Sequence, residues 1–311
     1  MRYEESNERR RLSGQLVQRG SRTGFPTTGA VLFGLPFVGI GVGVTLVGMK
    51  VIPVNPAGVH APYWVLSAFG TCFLAAGLMV WGMALRQYKA HRRQLSGSSN
   101  SPEARALADY RWDRRGFQPS RWSKVFKTLG GAIGLSVFLS MFNWWAFFSK
   151  DGVLMVKIIV GIFDLVLAFA WGYFFLNLSR ALIFGESRIE FTRFPYSSSE
   201  PILIRWLVAN GISNPRQGSF TLRCVEEWWE ASGSGDNRSN HLVHEEIWSG
   251  TWQLEPSDQL ISGKLQELRF EPPVSAPPTN LSAAKPIYWE LEVKIELAGP
   301  DFVETYLVPV Y

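Results

Sequence analysis

Four long apolar segments occupy the first 180 residues of the chain. Three of them contain no charged residue: Gly29 to Met49, Ala61 to Leu85 and Thr128 to Ser149. The fourth, Gly152 to Ser179, is interrupted by Lys157 and Asp164. Each exceeds the roughly 18 apolar residues that a membrane-crossing helix needs, and none has the polar face of a helix on a soluble core. The pattern predicts two transmembrane hairpins, 29–85 (spans 29–52 and 61–85) and 128–180 (spans 128–149 and 152–179).

After residue 180 the apolar period changes from helical runs to short β-rich segments. The clearest alternation runs from Ile287 to Leu297, where odd-numbered positions are apolar and even-numbered ones from Tyr288 to Glu296 are mostly charged. Such a strand has one buried and one wet face. Segments of this kind lie at 188–194, 201–208, 218–229, 241–253, 264–271, 286–297 and 301–310. Residues 181–311 are therefore predicted to form an antiparallel β-sandwich of about seven strands, and the whole chain an α+β membrane protein.

Basic residues lie on one side of the apolar segments. Residues 1–28 hold six Lys and Arg and residues 86–127 hold eleven, whereas the two connections on the other side hold only Lys50 and Lys150. Because Lys and Arg accumulate in cytoplasmic loops, both termini are predicted to be cytoplasmic, in a multi-pass protein of the bacterial inner (plasma) membrane. We expect the basic loop to attract anionic lipid headgroups at about 1 kcal/mol per nearby cation. A membrane surface is therefore favoured over nucleic acid as its partner.

The same charges divide the chain into two electrostatic parts. Residues 1–179 contain 20 Lys and Arg against 8 Asp and Glu, whereas residues 180–311 contain 11 against 18. The predicted sandwich is thus acidic. Within the 86–127 loop, Ser101-Pro102-Glu103 predicts an N-cap with proline at the first helical position. A short amphipathic helix over Glu103 to Arg115 is expected, lying in the headgroup layer or packing on the C-terminal domain.

Candidate functional residues within the spans are few. Asp164 lies in the middle of the fourth span, where a lipid-exposed carboxylate would cost several kcal/mol. It is expected to face other helices, hydrogen-bonded to a neighbour such as Asn143 or Ser140, with Lys157 reaching towards the outer boundary. The alternative is that Asp164 and Asn143 line a polar path for a proton or an ion.

Glycine spacing offers a second intramembrane feature. Gly39 and Gly43 in the first span, and Gly130 and Gly134 in the third, each form a small-xxx-small face that permits close helix approach. Packing within the chain is the default expectation, and homodimerisation is the alternative. Nothing in the spacing separates the two.

The predicted sandwich carries three groups of candidate residues. His241 and His244 are spaced for opposite faces of a strand, so they are expected to be exposed hairpin residues and no metal site is predicted. Glu226, Glu227 and Glu230 are expected to lie on a solvated strand, since no second locus completes a catalytic carboxylate pair. The aromatic side chains of the same hairpin are candidates for binding a protein partner: Trp228, Trp229, Trp248 and Trp252.

A family resemblance rests on three segments. The closing residues Ile287 to Phe302 and Tyr306 to Tyr311, the run Phe33-Gly-Leu-Pro36 and the run Ala181 to Glu186 are similar to uncharacterised bacterial four-helix inner-membrane proteins with a C-terminal sandwich. The strand pattern also resembles arrestin-like and immunoglobulin-like sandwiches. That resemblance implies a binding scaffold and transfers no functional residues.

These patterns favour a membrane-anchored adaptor that presents an acidic sandwich to an unknown protein partner at the cytoplasmic face of the membrane. A channel or transporter subunit using Asp164 and Asn143 is the alternative. No phosphate-binding glycine loop, nucleophile elbow or zinc-binding helix motif is present, so no enzyme activity and no cofactor are predicted. Cys72 in a span and Cys224 in the C-terminal region are not expected to pair.

Overall fold

The computed structural model describes residues 1–13, 18–20, 27–55, 62–96, 101–148, 154–210, 212, 215–232, 239–255 and 260–311. The predicted span ends at residues 61, 149 and 152 lie outside them. The described residues contain five α-helices, of which all except α3 are long and apolar enough to cross a membrane. The helices are α1 (Thr27–Gly48), α2 (Tyr63–Ser96), α3 (Pro102–Asp109), α4 (Arg121–Asn143) and α5 (Leu154–Phe184).

The chain folds into two compact units. The helical unit comprises Phe25–Tyr88 and Trp122–Ser179. The sheet unit comprises Met1–Gly24, Lys89–Arg121 and Arg180–Tyr311. The sheet unit therefore contains the basic N-terminal segment and the basic loop in addition to the predicted sandwich residues. With these segments included it holds 25 Lys and Arg against 24 Asp and Glu, a net charge of +1.

Ten strands in antiparallel pairs build the sheet unit. They are β1 (Arg2–Ser6), β2 (Arg10–Arg11), β3 (Gly116–Phe117), β4 (Ile189–Phe191), β5 (Ile202–Leu207), β6 (Gln217–Ser232), β7 (Ser239–Leu254), β8 (Leu265–Phe270), β9 (Ile287–Glu296) and β10 (Phe302–Val308). The large sheet has the order β1-β7-β6-β9-β10, with β2 also pairing to β7, and the small sheet has the order β3-β4-β5-β8. The antiparallel, β-rich C-terminal region is confirmed, and three further strands come from segments that precede α1 and α4.

One hydrophobic core joins side chains of the two sheets. Trp206 of β5 lies with its ring centroid 5.2 Å from that of Phe220 of β6, and its indole N–H donates to the hydroxyl of Tyr306 of β10 at 3.1 Å. All three residues are fully buried. The odd-numbered residues Trp289 to Ile295 of β9 belong to the same core, as their alternation predicts.

The predicted loop helix is present and is shorter than expected. Ser101 caps α3 by accepting a hydrogen bond from the Ala104 N–H at 3.1 Å, with Pro102 as the first helical residue. The helix ends at Asp109 because the next residue, Tyr110, has an extended backbone, with φ −144° and ψ 158°. Of the two expected placements, the structure has packing on the sheet unit, since Ala106 is fully buried in a cluster with Trp112, Tyr288 and Leu307.

Glycines bring α1 and α2 together, although not those expected. A Cβ atom at Gly41 would lie 2.4 Å from the backbone nitrogen of Leu74, and one at Gly70 would lie 2.4 Å from that of Thr45. Such contacts require glycine, so the two helices touch backbone to backbone. By contrast, the predicted faces have no atom within 4 Å of an added Cβ at Gly39, Gly43, Gly130 and Gly134 among the described residues. The expectation that these four pack within the chain was wrong, because they point away from the neighbouring helices.

Candidate functional site

The β6–β7 hairpin extends beyond the rest of the large sheet. β6 pairs with β7 as far as Ser232, whereas its pairing with β9 stops at Glu226. The register shifts between Cys224 and Val225, where Trp248 and Glu246 are the successive partners on β7. Such a β-bulge re-aims the side chains beyond it and increases the local twist. The backbone of Glu227 still bonds Pro286, and that of His244 bonds Leu12. Residues 228–232 and 239–243, beyond these contacts, form the two-stranded hairpin arm.

The basic N-terminal segment lies along this hairpin. β1 pairs with β7 from Ser249 to Gln253, and β2 pairs with Glu245 and Glu246. The arginines of the segment contact acidic side chains: Arg9–Glu245 at 3.4 Å, Arg10–Glu246 at 3.1 Å and Arg11–Glu230 at 3.3 Å. Because these arginines are more than 60% exposed, each pair contributes less than about 1 kcal/mol. Together they neutralise the acidic hairpin.

Beneath the N-terminal segment lies a buried polar cluster on the outer face of the large sheet. The guanidinium of Arg223 donates twice to Glu290 Oε1, at 2.8 and 2.6 Å, and lies 3.4 Å from Glu292. Burial by itself lowers the pKa of Arg223, but the two carboxylates outweigh it and raise that pKa. Arg19 approaches Glu290 at 3.8 Å from the covering segment. The even-numbered face of β9 was predicted to be wet, and at Tyr288 and Glu290 this prediction was wrong. Tyr288 packs in a cluster with Ala106 and Trp112, and Glu290 is buried beside Arg223 and Arg19.

Glu227 is the second centre of this cluster. Its carboxylate accepts hydrogen bonds from the backbone N–H groups of Arg19 and Gly20 at 2.9 and 3.0 Å. The third partner is His244, whose Nε2 lies 3.1 Å from Glu227 Oε2. Since Glu227 is 1% exposed, these contacts replace the hydration that burial removes. The cluster fastens residues 19–20, just ahead of α1, to the sheet.

The candidate histidines and glutamates were expected to be exposed, and for two of them this was wrong. His244 is 4% exposed and Glu227 is 1% exposed, because both point under the N-terminal segment. His241 is exposed on the other face, with Nε2 3.7 Å from Glu230. The described residues contain no group of three or more His, Cys, Asp and Glu side chains placed to hold a metal ion.

Two of the four candidate tryptophans are structural. Trp248 is 1% exposed, its ring lies 5.4 Å from that of Trp289, and its N–H donates to Glu5 at 2.8 Å. It therefore has no surface to offer a partner. Trp252 is half-buried beside Tyr3, with ring centroids 5.0 Å apart, and its N–H donates to a backbone carbonyl of β8 at 2.9 Å. Trp252 of β7 thus contacts β1 of its own sheet and β8 of the small sheet.

The other two tryptophans lie on the hairpin arm. Trp228 is half-buried between two cations, with Lys285 Nζ 4.9 Å and the Arg11 guanidinium 6.0 Å from its ring centroid. Trp229 points to the opposite face and is 37% exposed. Of the four, Trp229 has the most surface available for an interaction. The arm is thus the part of the predicted aromatic hairpin that remains a candidate interface.

In the helical unit the predicted polar pair is present. Asn143 of α4 donates its amide Nδ2–H to Asp164 Oδ1 of α5 at 2.8 Å. About two helical turns away, the Trp171 indole N–H donates to the Ser136 hydroxyl at 3.1 Å, so polar contacts repeat along the same pair of helices. Lys157 is half-buried near the start of α5. The carboxylate of Asp164 therefore has a hydrogen-bond donor of its own within the unit.

Sequence patterns did not point to Arg19, Arg223 or Glu290. Arg223 and Glu290 occupy odd and even positions, respectively, of polar alternations that look like ordinary solvated faces. The available signal was the excess of arginine in residues 1–28 together with the excess of glutamate after residue 180. Opposite charges in distant segments indicate attraction but cannot identify the pairs.

Comparison with known proteins adds little to this geometry. No protein-family model matches the chain, and the search of curated proteins gives no match. A solved structure with some likeness is the crystal structure of Spo0M, a sporulation control protein from Bacillus subtilis, with a TM-score of 0.22 and 11% sequence identity. The likeness covers 40% of this chain and 48% of that chain, less than two thirds of its length. At this TM-score it supports no conclusion about fold or function, and the family resemblance stays a prediction.

Proposed function

We propose that this chain is a non-enzymatic, membrane-anchored adaptor whose sheet unit binds a protein partner at the cytoplasmic face of the bacterial inner membrane. Three segments separated by the apolar helices, 1–24, 89–121 and 180–311, belong to one compact unit. An even number of membrane crossings between successive segments brings them to the same side. The excess of Lys and Arg in residues 1–28 and 86–127 supports the cytoplasm as that side. Both termini are then cytoplasmic, and anionic lipids face the basic loop.

The hairpin arm is the surface that carries this proposal. Among the described residues no third strand pairs with residues 230–232 of β6, so the backbone N–H and C=O groups of that edge are open to an added strand. Edge addition gives affinity through main-chain hydrogen bonds, and nearby side chains give specificity. Trp229, 37% exposed on this arm, supplies the aromatic anchor that interfaces favour. We propose an extended segment of a protein partner as the ligand.

Crosslinking in native membranes followed by mass spectrometry tests this interface. Removing all of β6 and β7 would destroy the core, so the arm is instead shortened by replacing residues 230–241 with Asn-Gly. That turn joins the paired residues Trp229 and Leu242 and suits a two-residue hairpin. We expect the shortened chain and Trp229→Ala to lose the same crosslinked neighbour.

The matched control is Val303→Ala, which removes apolar surface from a residue that is 49% exposed on β10. This variant should keep every neighbour of the unmodified chain. An unchanged set of neighbours after shortening the arm would contradict the proposed interface. Recovery of the chain in the soluble fraction of lysed cells would contradict the membrane anchoring.

The second candidate function, a channel or transporter subunit, has one observation in its favour. Asp164 and Asn143 form a polar contact between two apolar helices, and an ionisable residue at such a position often marks a proton or ion path. Asp164→Asn keeps a hydrogen-bonding side chain while removing the charge. Under the adaptor proposal this variant retains its crosslinked partner and cellular activity. Loss of proton or ion flux in proteoliposomes carrying Asp164→Asn would favour the transporter instead.

A further inference from the structure

A surface pocket of about 1030 Å³ lies at one end of the small sheet, within the sheet unit. Its walls are the turn and strand before α4, residues 110–120, and the paired strands β4 and β5. This volume is in the range of pockets that hold small ligands. Five arginines contribute to the walls: Arg111, Arg114, Arg115, Arg188 and Arg205. We call it the arginine pocket.

Positive charge dominates the arginine pocket. Its lining residues include two carboxylates, Asp113 and Glu190, and carry a formal net charge of +3. Glu103 and Glu267, which pair with Arg114 and Arg205 from outside the lining, reduce this charge to +1. One carboxylate oxygen of Asp113 already has a partner, because its Oδ1 accepts a hydrogen bond from the Arg115 backbone N–H at 3.0 Å. A concave surface lined with one sign of charge concentrates the field at its centre. The pocket therefore attracts an anion.

The five guanidinium groups differ in what they already bind. Three have one partner each: Arg114 with Glu103 at 2.8 Å, Arg188 with Glu190 at 3.0 Å and Arg205 with Glu267 at 2.9 Å. Arg111 and Arg115 are exposed, and no carboxylate of the described residues forms an ion pair with either. A guanidinium fork matches the geometry of a phosphate group, to which it donates two parallel hydrogen bonds. Arg111 and Arg115 are thus available to a phosphate.

These two arginines differ from the three arginines of the N-terminal segment. Arg9, Arg10 and Arg11 are engaged with the acidic hairpin. The attraction for anionic lipids that the overall charge predicts must therefore come from other cations. Arg111 and Arg115 are the exposed cations that a concave wall already holds together.

The arginine pocket is also tied to the ends of two long apolar helices. Ser120 of its wall directly precedes α4, and Arg188 follows the last residue of α5, Phe184, by four positions. An extended chain spans at most about 3.6 Å per residue, so Arg188 lies within about 14 Å of the α5 end in any arrangement of the two units. If both helices cross the bilayer, the pocket lies within reach of the headgroup layer.

We propose that the arginine pocket binds the phosphate group of an anionic membrane lipid. This inference rests on the proposed membrane anchoring and is independent of the proposed protein partner. The lipid phosphate lies between the guanidinium groups of Arg111 and Arg115, while Arg188 and Arg205 add charge from the sheet. Binding fixes the orientation of the sheet unit on the membrane surface, because the pocket wall belongs to that unit.

Native mass spectrometry of the full chain in dodecyl maltoside micelles tests the proposal. The probes are dimyristoyl phosphatidylglycerol, dimyristoyl phosphatidylcholine and inorganic phosphate. The test variant is Arg111→Gln/Arg115→Gln, and its control, Arg216→Gln/Arg269→Gln, removes the same charge from exposed positions outside the pocket. At about 1 kcal/mol per cation, we expect the test variant to bind phosphatidylglycerol at least tenfold more weakly and the control to bind it as the unmodified chain does.

The other outcomes separate a specific lipid site from non-specific charge attraction, from binding of free phosphate and from a folding defect. If phosphatidylglycerol binding is weakened equally in both double variants, the attraction is non-specific and the proposed lipid site in the pocket is refuted. Inorganic phosphate that displaces phosphatidylglycerol at millimolar concentration would make free phosphate the ligand. A folding defect is separated by Arg111→Lys/Arg115→Lys, which keeps the charge and should recover part of the affinity. If the unmodified chain does not bind phosphatidylglycerol, or if Arg111→Gln/Arg115→Gln binds it unchanged, while the crosslinked partner is retained, this inference is refuted and the proposed function still stands.

Discussion

The ion pair between Arg223 and Glu290 gives a prediction whose size follows from its geometry. Both side chains are almost fully buried, 5% and 2% exposed, and two hydrogen bonds join them. Replacing Arg223 by methionine leaves the Glu290 carboxylate without these bonds in a site that water does not reach. Breaking a buried pair in this way costs about 3–5 kcal/mol. Arg19 remains 3.8 Å from Glu290 and offsets part of the loss, so we expect about 3 kcal/mol.

The reciprocal change and the double change should behave differently. Glu290→Met leaves Arg223 with Glu292 at 3.4 Å, so it should cost less than Arg223→Met. Arg223→Met/Glu290→Met removes both charges and fills the space with apolar atoms. Replacing a buried pair by apolar side chains of similar volume is often neutral, so we expect the double variant to cost under about 1 kcal/mol. The coupling energy between the two positions is then about 2 kcal/mol or more.

Alkylation of Cys224 in urea measures these differences in the full chain. Cys224 is fully buried, and burial, followed by the charge of Glu226, raises the pKa of its thiol, so it reacts only when the sheet unit opens. Cys72→Ser removes the other cysteine. With an m-value near 2 kcal/mol per molar urea, 3 kcal/mol lowers the midpoint by about 1.5 M. A double variant as unstable as the sum of the single variants would refute the reasoning.

Three further predictions concern packing and pH. Gly41→Leu should lower the thermal stability of the helical unit in detergent, because even a Cβ there meets the backbone of α2, whereas Gly39→Leu should have little effect. Trp248→Ala should cost about 3–5 kcal/mol in the Cys224 assay and Trp229→Ala under about 1 kcal/mol, since only the first is buried; equal losses would contradict this. Burial raises the pKa of Asp109 above 3.8, so the folded state holds its proton to higher pH than the unfolded state does. This group therefore lowers stability as pH rises from about 3.8 through the raised pKa, and Asp109→Asn should remove that loss in urea titrations between pH 4 and 7.

Local patterns predicted the elements of this protein well. All seven β-rich segments after residue 180 coincide with strands, and the four apolar segments coincide with helices that are long enough to cross a membrane. The Ser101 cap was correct for the same reason, because a cap depends on residues three positions apart. Such features follow from periodicities of 2.0 and 3.6 residues and from capping chemistry, which are local.

The candidate sites were predicted less well because they depend on contacts between distant segments. Trp248 and Trp229 are both hairpin tryptophans, yet only the placement of β1 and β9 buries one and leaves the other exposed. The Asn143–Asp164 hydrogen bond was anticipated because a carboxylate in an apolar helix needs a donor. The glycine faces were assigned to the wrong positions, since every glycine in a span has the same local signal.

By itself, the sequence determined which segments are apolar helices, which are strands, and how basic and acidic residues divide between them. Only the tertiary structure decided that residues 1–24 and 89–121 join the sheet unit, that Arg19 covers Glu290, and that the walls of the arginine pocket come from two distant parts of the chain. The physical reason is the distance along the chain over which these interactions act. Hydrophobic period and capping act over a few residues, whereas charge pairing across about 200 residues of chain depends on which surfaces the sheets bring together.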